Sequence, residues 1–491
     1  MDSRTADQAR ARKSLGDLYH EARWPTAGAA DAVRRERQKL VADLLTLGVQ
    51  KTASGSKLFS GTLSPSCQAC VDGTWSCLYI TDWCQADCFY CPQSVESRLG
   101  HVAHTPNADG MAFADPIAYA DYVADCGFEA VGISGGEPLG ALDLVTAYVT
   151  AVKERTQGEV YVHAYTNGLM ATRERLASLR DAGLDELRFD ITARDYDLSA
   201  LRLARDILPT VTVEMPAIPE DEGRLGAVLR ELAGLGVDHL NLHQMQVTAD
   251  NARAFIDRGH TFLHQPSIAD MESETTALRV FKAAASEHIK LSINYCCPAY
   301  RTRFQRRAKL GRAASLVRRA PEEITPTGLL RRLSLHDHPD RLAALAERLR
   351  AHGRADDRLR FDEDGTLLLD LETLRAAEPG GALLTVAYDQ VELSSEAHDE
   401  DGDWQEVPGL PSAHLWTRRR SAAEARFTTP AVRDALAEML TDRWDEKRAF
   451  ARIQADAGTT VDDLKAVLGD WSRARQLRPH EVVEEGLGEI G

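Results

Sequence analysis

Between residues 74 and 300, short apolar runs alternate with longer segments in which apolar residues recur every three or four positions. The longer segments have the period of amphipathic helices, whereas short apolar runs are typical of buried strands. Such alternation indicates βαβ units and a parallel sheet. We therefore predict an α/β fold, a partial (β/α)6 TIM-like barrel with parallel strands. Its strands are expected at 74–81, 130–136, 160–168, 186–192, 210–219, 238–247 and 289–296.

The regions next to this 74–300 core have different patterns. Residues 1–73 predict an N-terminal helical segment, which ends near a CxxC pair formed by Cys67 and Cys70. Residues 301–324 are predicted to be a basic linker, because its 301–319 portion contains eight Lys or Arg residues and no acid.

Residues 325–491 mix helical and strand-like patterns, with strands predicted in 366–373 and 383–393. This mixture predicts a C-terminal α+β accessory region. Three helices predicted within 430–491 form an arrangement similar to a winged-helix module. A purely structural group of three helices would have the same pattern, so both interpretations stay open.

Composition limits the classes of protein that fit this pattern. The 491 residues are 44% hydrophobic and carry a net charge of −17, so bulk attraction to nucleic acid or an anionic membrane is not expected. No apolar stretch resembles a secretory signal or is long enough to span a bilayer, and we expect a cytoplasmic protein. Thiols stay reduced in the cytoplasm, so six of nine cysteines lying within 67–91 indicate metal binding or catalysis.

The decisive segment follows the first predicted strand and has the spacing CxxxCxxC, with Cys84, Cys88 and Cys91. Three thiolates can bind three irons of a cubane cluster, which takes four ligands, and leave one iron open to a small molecule. A structural zinc site would need a fourth ligand nearby, and Cys77 lies in the middle of a predicted strand. A zinc knuckle and an incidental cysteine cluster are the alternatives for the spacing alone.

With an aromatic residue just before its last cysteine, the CxxxCxxC segment resembles the radical SAM superfamily. The resemblance implies a [4Fe–4S] cluster held by Cys84, Cys88 and Cys91. It also implies that the open iron binds S-adenosylmethionine (SAM) and that cleavage releases a 5′-deoxyadenosyl radical, which abstracts hydrogen from a substrate. Tyr90 is then expected to lie beside the adenine of SAM.

A second match follows one βα unit later, at the end of the next predicted strand. The residues Ser134, Gly135, Gly136, Glu137 and Pro138 resemble the GGEP motif, which contacts the SAM amino group in the superfamily. Glycines allow a close backbone approach, a carboxylate suits an ammonium group, and proline stiffens the turn.

Polar residues at later strand ends fit the same resemblance. The implied SAM contacts are Asn167, within a Thr-Asn-Gly sequence, together with Asp190, Glu214 and His243. For Asp190 and Glu214, a hydrogen-bonded polar residue in the barrel interior is an equal alternative. Asn241 and Gln244 lie near His243 at the sixth strand end, where they and His243 could form a pocket wall with SAM or substrate.

The remaining cysteines suggest two further sites. Cys67 and Cys70 could contribute to a second metal site, either zinc or an auxiliary cluster, with the alternative of free thiols in a tight turn. Cys296 and Cys297 end the last predicted strand and are candidate catalytic residues, as hydrogen donors or covalent substrate ligands. Buried free cysteine is common, and that is the structural alternative.

The expected function is that of an enzyme that cleaves SAM reductively and acts on a small molecule or natural-product intermediate. A peptide or protein maturase or activase of the same superfamily is the alternative, and a non-catalytic iron–sulfur protein is a third. The basic residues 301–319 could dock an acidic reductant such as flavodoxin or ferredoxin, bind an anionic substrate, or form a solvated helix. No membrane or nucleic-acid partner is expected.

Overall fold

The computed structural model divides the chain into two compact units. One comprises residues 1–306, 410–413 and 485–491, and the other comprises 307–409 and 414–484. Within the described residues, no helix combines the length and the apolar character needed to cross a membrane. The described residues are 3–99, 104–354, 357–377, 381–396, 404–407, 410, 415–428, 432, 436, 440, 450, 460–484 and 486–490.

The N-terminal segment is helical, as predicted, but it also contains a hairpin that the sequence pattern did not indicate. A turn with left-handed backbone at Ala53, Ser54 and Gly55 joins two short strands, and the second strand pairs antiparallel with the last barrel strand. The strands are too short to show a period. The elements are α1 (Ser3–Leu15), α2 (Leu18–Glu21), α3 (Ala27–Thr46), β1 (Gln50–Thr52), β2 (Lys57–Ser60) and α4 (Pro65–Asp72).

Seven parallel strands confirm the predicted α/β core, and all seven predicted strands are present. Their spatial order is β13-β10-β9-β8-β7-β6-β3, with β2 and β1 continuing the sheet beyond β13 and with β4 and β5 beyond β3. The strands are β3 (Trp75–Tyr79), β4 (Asn107–Ala108), β5 (Met111–Ala112), β6 (Ala130–Ser134), β7 (Tyr161–Thr166), β8 (Glu186–Phe189), β9 (Thr210–Pro216), β10 (His239–His243) and β13 (Ser292–Cys296).

Helices connect these strands and cover the sheet, while two short strands form a separate pair. Apolar strand residues such as Val131, Leu187, Val211 and Leu240 are fully buried, which explains the apolar runs. The remaining elements of this region are α5 (Val95–Leu99), α6 (Pro116–Asp125), α7 (Leu142–Arg155), α8 (Arg173–Asp181), α9 (Ser199–Arg205), α10 (Glu222–Gly234), α11 (Ala252–Asp257), β11 (Phe262–Leu263), β12 (Ala269–Asp270), α12 (Met271–Ser286) and α13 (Pro298–Tyr300).

The basic segment 301–319 is largely helical: a π-helical turn at Arg301–Gln305 continues into α14 (Arg306–Val317). The second unit is α+β, as predicted, with an antiparallel sheet and a leucine-rich core. Its sheet order is β16-β17-β15-β18-β20-β19, with β14 paired to β15. The elements are β14 (Glu323–Ile324), β15 (Leu330–His336), α15 (Pro339–Ala351), β16 (Leu359–Phe361), β17 (Leu367–Leu369), α16 (Leu371–Ala376), β18 (Leu383–Ser394), β19 (Gln405–Glu406), β20 (Trp416–Phe427) and α17 (Val461–Leu477).

Of the three helices predicted within 430–491, the last is α17, whose N-terminus is capped by Thr460. Most residues of the other two predicted helices lie outside the described part of the chain. The winged-helix arrangement therefore stays a prediction.

Candidate active site

A cavity of about 520 Å³ lies inside the barrel and extends to the carboxyl ends of its parallel strands. Ligand sites in parallel α/β folds lie at these strand ends. Seven of the nine cysteines line the cavity, so sulfur chemistry is concentrated here. They are Cys67, Cys70, Cys77, Cys84, Cys88, Cys91 and Cys296.

The loop that carries CxxxCxxC follows β3 and is held in shape by Arg98. The carbonyl of Arg98 accepts a hydrogen bond from the N–H of Cys84 at 3.1 Å, and its guanidinium donates to the Ala86 carbonyl at 2.6 Å. Arg98 also forms an ion pair with Asp87 at 3.2 Å. Since Arg98 is itself buried, the loop is anchored from behind and its three cysteines face the cavity.

Burial controls the protonation of these thiols. Burial raises the pKa of Cys84, and burial together with the nearby charge of Asp190 raises the pKa of Cys88 to about 12. Both groups are therefore neutral thiols at neutral pH until a metal displaces their protons.

The two glycines of the GGEP segment leave room for the backbone of the cysteine loop, which packs directly against them. A Cβ at Gly136 would lie 2.2 Å from the carbonyl oxygen of Trp83, and one at Gly135 would lie 2.5 Å from that of Thr81. Gly135 also has φ of 147°, which disfavours other residues. The N–H of Gly136 donates to Thr81 and that of Glu137 donates to Trp83, both at 2.7 Å. The strand end and the cysteine loop are therefore joined backbone to backbone.

Glu137 and Pro138 are not among the residues that line the cavity, and their predicted contact with SAM stays a prediction. Glu137 is fully buried, and its carboxylate accepts hydrogen bonds from Leu139 N–H at 3.0 Å, Thr166 Oγ1 at 2.7 Å and Asn167 N–H at 2.8 Å. Burial raises the pKa of Glu137 despite these hydrogen bonds. The carboxylate thus fixes the neighbouring strand end.

Asn167 lines the cavity beside the cysteine loop. Its side-chain amide N–H group lies 3.5 Å from the sulfur of Cys84, and its carbonyl oxygen accepts a hydrogen bond from Leu169 N–H at 2.9 Å. A hydrogen bond to sulfur stabilises a thiolate over a thiol. This places the predicted SAM contact next to a cysteine that the sequence predicts to bind metal.

Tyr90 and Asp190 also meet in the cavity wall. The Tyr90 hydroxyl donates to the carboxylate of Asp190 at 2.9 Å, and the Thr192 hydroxyl contacts both groups. Burial raises the pKa of Asp190. The Tyr90 carbonyl accepts from the side chain of Asn251 at 3.1 Å, which fixes the orientation of this part of the loop.

Glu214 and His243, on neighbouring strands β9 and β10, form an ion pair at 2.7 Å. Glu214 also pairs with Arg188 at 3.2 Å and accepts a hydrogen bond from Asn241 at 2.9 Å. Burial raises the pKa of Glu214, but the imidazole and the guanidinium outweigh it, so that the pKa lies well below the usual value. Two predicted SAM contacts, Glu214 and His243, are therefore brought together at one site with Arg188.

A buried lysine, which the sequence did not indicate, lies in the same cavity wall. Lys57 of β2 donates to the side-chain carbonyl of Asn294 at 3.1 Å, and its ammonium lies 4.2 Å from the centre of the Tyr300 ring. Asn294 donates in turn to Asn241 at 2.8 Å. Lys57 was missed because its strand belongs to the unpredicted hairpin. Arg188 could have been noticed in the sequence, because Glu186 and Arg188 are charged residues that alternate with Leu187 and Phe189 in a predicted strand.

The two candidate catalytic cysteines face different surroundings. Cys296 lines the cavity, whereas Cys297 does not. The sulfur of Cys297 lies 3.6 Å from the carbonyl oxygen of Ser56 and accepts from the N–H of Tyr300 at 3.4 Å, as the cap of α13. Only Cys296 is therefore placed to meet a substrate.

Cys67 and Cys70 both line the cavity, but no third ligand joins them in a compact group. Across the described residues, only His260, Asp270 and Glu272 bring three ligand atoms within 4.8 Å of one another. The sulfur of Cys67 lies 3.5 Å from the Asn241 carbonyl oxygen, and that of Cys70 accepts from Gln305 at 3.1 Å. The second metal site at Cys67 and Cys70 therefore stays a prediction.

Comparisons with known proteins define the class of this site. The family model of the radical SAM superfamily matches residues 78–216, which include the cysteine loop and the GGEP segment. A Methanocaldococcus jannaschii protein described as a candidate glycyl-radical enzyme activating enzyme is 30% identical over 296 residues, covering 58% of this chain and 77% of that protein. The chain belongs to the radical SAM superfamily and is an enzyme, as the sequence predicted.

More distant similarities extend to two peptide-modifying proteins and one structure. The PqqA peptide cyclases of Rhodopseudomonas palustris and Bradyrhizobium diazoefficiens are 24% and 25% identical, each covering 45% of this chain and 58% of the relative. A crystal structure of Streptococcus suis SuiB bound to precursor peptide SuiA has a TM-score of 0.27 at 12% identity, covering 43% of each chain.

Membership in the superfamily implies a [4Fe–4S] cluster and SAM, and the cavity residues fit both. Three thiols from one loop line the cavity, which is the protein ligand number that leaves one iron open. The volume of about 520 Å³ is typical of a small-molecule or cofactor site. The side chains that line the cavity include both acidic and basic groups, which suit a zwitterionic ligand such as SAM.

Proposed function

We propose that this chain is a radical SAM enzyme that modifies a peptide or protein. Two of the named relatives are peptide cyclases, and a third is described as an activating enzyme for another enzyme. The observation that supports the radical chemistry is the cavity in which Cys84, Cys88 and Cys91 face the polar ends of β8, β9 and β10. A small-molecule substrate, our first expectation from sequence, has less support from these relatives.

In the proposed mechanism Cys84, Cys88 and Cys91 hold the [4Fe–4S] cluster. When bound there, such a cluster would supply the electron for reductive cleavage of SAM. Around it we assign direct contacts with SAM to cavity-lining residues at the strand ends and in the cysteine loop. These are Tyr90, Ser134, Gly135, Gly136, Asp190, Glu214 and His243.

A second group of residues is proposed to orient this machinery from behind. Glu137 fixes Asn167 through a backbone hydrogen bond, and Asn167 lies against the sulfur of Cys84. Pro138, buried behind the cavity, begins the turn that follows. Because these contacts are internal to the chain, they preorganise the loop before any ligand binds.

The electron source is proposed to be an acidic carrier such as a flavodoxin or ferredoxin. The reason is the charge of 301–319, where eight Lys or Arg residues occur without an acid in a chain of net charge −17. Opposite charge steers such encounters and makes them sensitive to salt.

The test of the peptide assignment uses the reconstituted enzyme with SAM and dithionite under anaerobic conditions. Short peptides encoded beside its gene would be added one at a time and analysed by mass spectrometry. We expect one of them to change mass only when SAM, reductant and enzyme are all present. The assignment fails if sugars or nucleotides, but none of the peptides, are converted.

A further inference from the structure

Lys57 is the most unusual charge in the cavity wall, because it is buried without an opposite charge. Its side chain is only 2% exposed, and an ammonium group has three hydrogen-bond donors. One donor goes to the neutral side-chain oxygen of Asn294, and the group also lies over the ring of Tyr300. Among the described residues, none forms an ion pair with Lys57.

Arg188, which lines the same cavity, has carboxylate partners within the chain. It pairs with Glu186 at 2.9 Å and with Glu214 at 3.2 Å. A buried cation without such partners costs stability unless a ligand supplies the anion. The contrast between Arg188 and Lys57 therefore indicates that the anion at Lys57 comes from outside the chain.

The two thiols at the end of β13, Cys296 and Cys297, do not supply this anion. Burial raises the pKa of Cys296, more than Lys57 and Arg301 lower it, and burial raises that of Cys297 to about 12. Both are therefore neutral at neutral pH. Arg301 also lines the cavity and is a second positive group there. Its guanidinium donates a hydrogen bond to the side chain of Gln246 at 2.9 Å.

We propose that Lys57 anchors a carboxylate of the substrate in the same cavity that binds SAM. This deepens the proposed function and rests on it, because it narrows the substrate to a peptide with an acidic side chain or a free terminal carboxylate at the reacting segment. A carboxylate can satisfy the remaining ammonium donors and the charge together.

The carboxylate of SAM is the other source of the same chemistry, and the SAM affinity of a Lys57 variant distinguishes the two sources. The cysteine loop and GGEP follow β3 and β6, whereas Lys57 lies on β2 beside β13. Cys296 ends β13 and lines the cavity too, so a candidate catalytic residue lies on the strand that pairs with the strand of Lys57.

The experiment measures binding of butyrate and of butyramide, its neutral isostere, to reconstituted, SAM-loaded protein by anaerobic calorimetry. We expect butyrate to bind about tenfold more tightly than butyramide, as one charge-assisted hydrogen bond can provide. In K57M this preference should disappear, and in K57R it should persist. Equal binding of the two probes to the wild-type protein, or a preference that survives in K57M, would overturn the proposal.

A second arm separates the two sources of carboxylate. The SAM dissociation constant of K57M should stay within about twofold of wild type, whereas a tenfold loss would assign Lys57 to the cofactor instead of the substrate. K57M should also unfold at an equal or higher temperature, because it removes an unpaired buried charge. If the chain cleaves no SAM, the proposed function fails, while the preference for butyrate can still be measured on the same protein.

Discussion

Two walls of one cavity differ in how their polar groups are satisfied. The cysteine wall comprises residues 84–91, 134–136 and 166–167, with Glu137 behind it. Its polar groups are satisfied within the chain: Glu137 accepts three hydrogen bonds and Asn167 reaches the sulfur of Cys84. The lysine wall comprises Lys57, Cys67, Asn241, Asn294 and Cys296, where a series of neutral amides ends at an ammonium without a counter-ion.

This difference separates two tasks. The cysteine wall is complete without a substrate, which suits a group that is always present and must be held in one geometry. The lysine wall leaves a charge to be met by a ligand, which suits a group that arrives and leaves. The same radical machinery could therefore serve other substrates if only the lysine wall changed.

The largest expected effect is on the cysteine wall. Cys88→Ala should abolish both the visible absorbance of the cluster and its iron, because a cubane cannot be held by two protein ligands. Cys126→Ala is the matched control, since Cys126 is buried but does not line the cavity, and it should retain both signals. Retention of the cluster in Cys88→Ala would refute our ligand assignment.

The backbone junction of the cysteine wall gives the next largest effect. Gly136→Ala would place a Cβ 2.2 Å from the Trp83 carbonyl oxygen, so we expect it to cost about 2–4 kcal/mol and to lower cluster occupancy. Chemical denaturation and iron content measure the two effects. Gly223→Ala in α10 has no atom within 4 Å of the new Cβ and should change stability by less than about 1 kcal/mol.

Between the walls, Glu214→Gln should destabilise the protein by about 2–3 kcal/mol at neutral pH, because it removes a buried ion-pair partner of His243 and Arg188. The folded pKa of Glu214 lies below its usual 4.5, so its contribution is fully present above that pH and is lost as pH falls toward the folded value. Denaturation at several pH values should show the difference from wild type shrinking below pH 4.5. A constant difference would contradict this assignment.

The smallest expected effect is on the iron content of a variant that lacks the Cys67 and Cys70 thiols. The double variant Cys67→Ser, Cys70→Ser should keep about four irons per chain, the content of one cubane. The sulfurs of these residues already have neutral partners in Asn241 and Gln305. A wild-type content of about eight irons that falls to four in the variant would instead establish the predicted second site.

The sequence allowed the cysteine wall to be predicted because its chemistry lies in short contiguous segments. CxxxCxxC and GGEP each follow a strand, and apolar runs locate those strands. Tertiary contacts decided what the motif residues do: the carboxylate of Glu137 turns inward because Thr166 and Asn167 lie behind it.

The lysine wall could not be predicted, because it combines positions distant in sequence. Lys57 reaches Asn294 only because β2 pairs with β13, and no local pattern records that pairing. Cys296 and Cys297 are adjacent in sequence, yet alternation along an extended chain sends their side chains to different surroundings. Only the structure could distinguish them.

The most direct test of the account is the yield of 5′-deoxyadenosine per cluster in the reconstituted enzyme with SAM and dithionite. We predict that the product forms in proportion to the cluster in the wild-type protein and is absent in Cys88→Ala. A wild-type protein that carries the cluster and binds SAM but forms no 5′-deoxyadenosine would contradict the assignment of this cavity as the site of SAM cleavage.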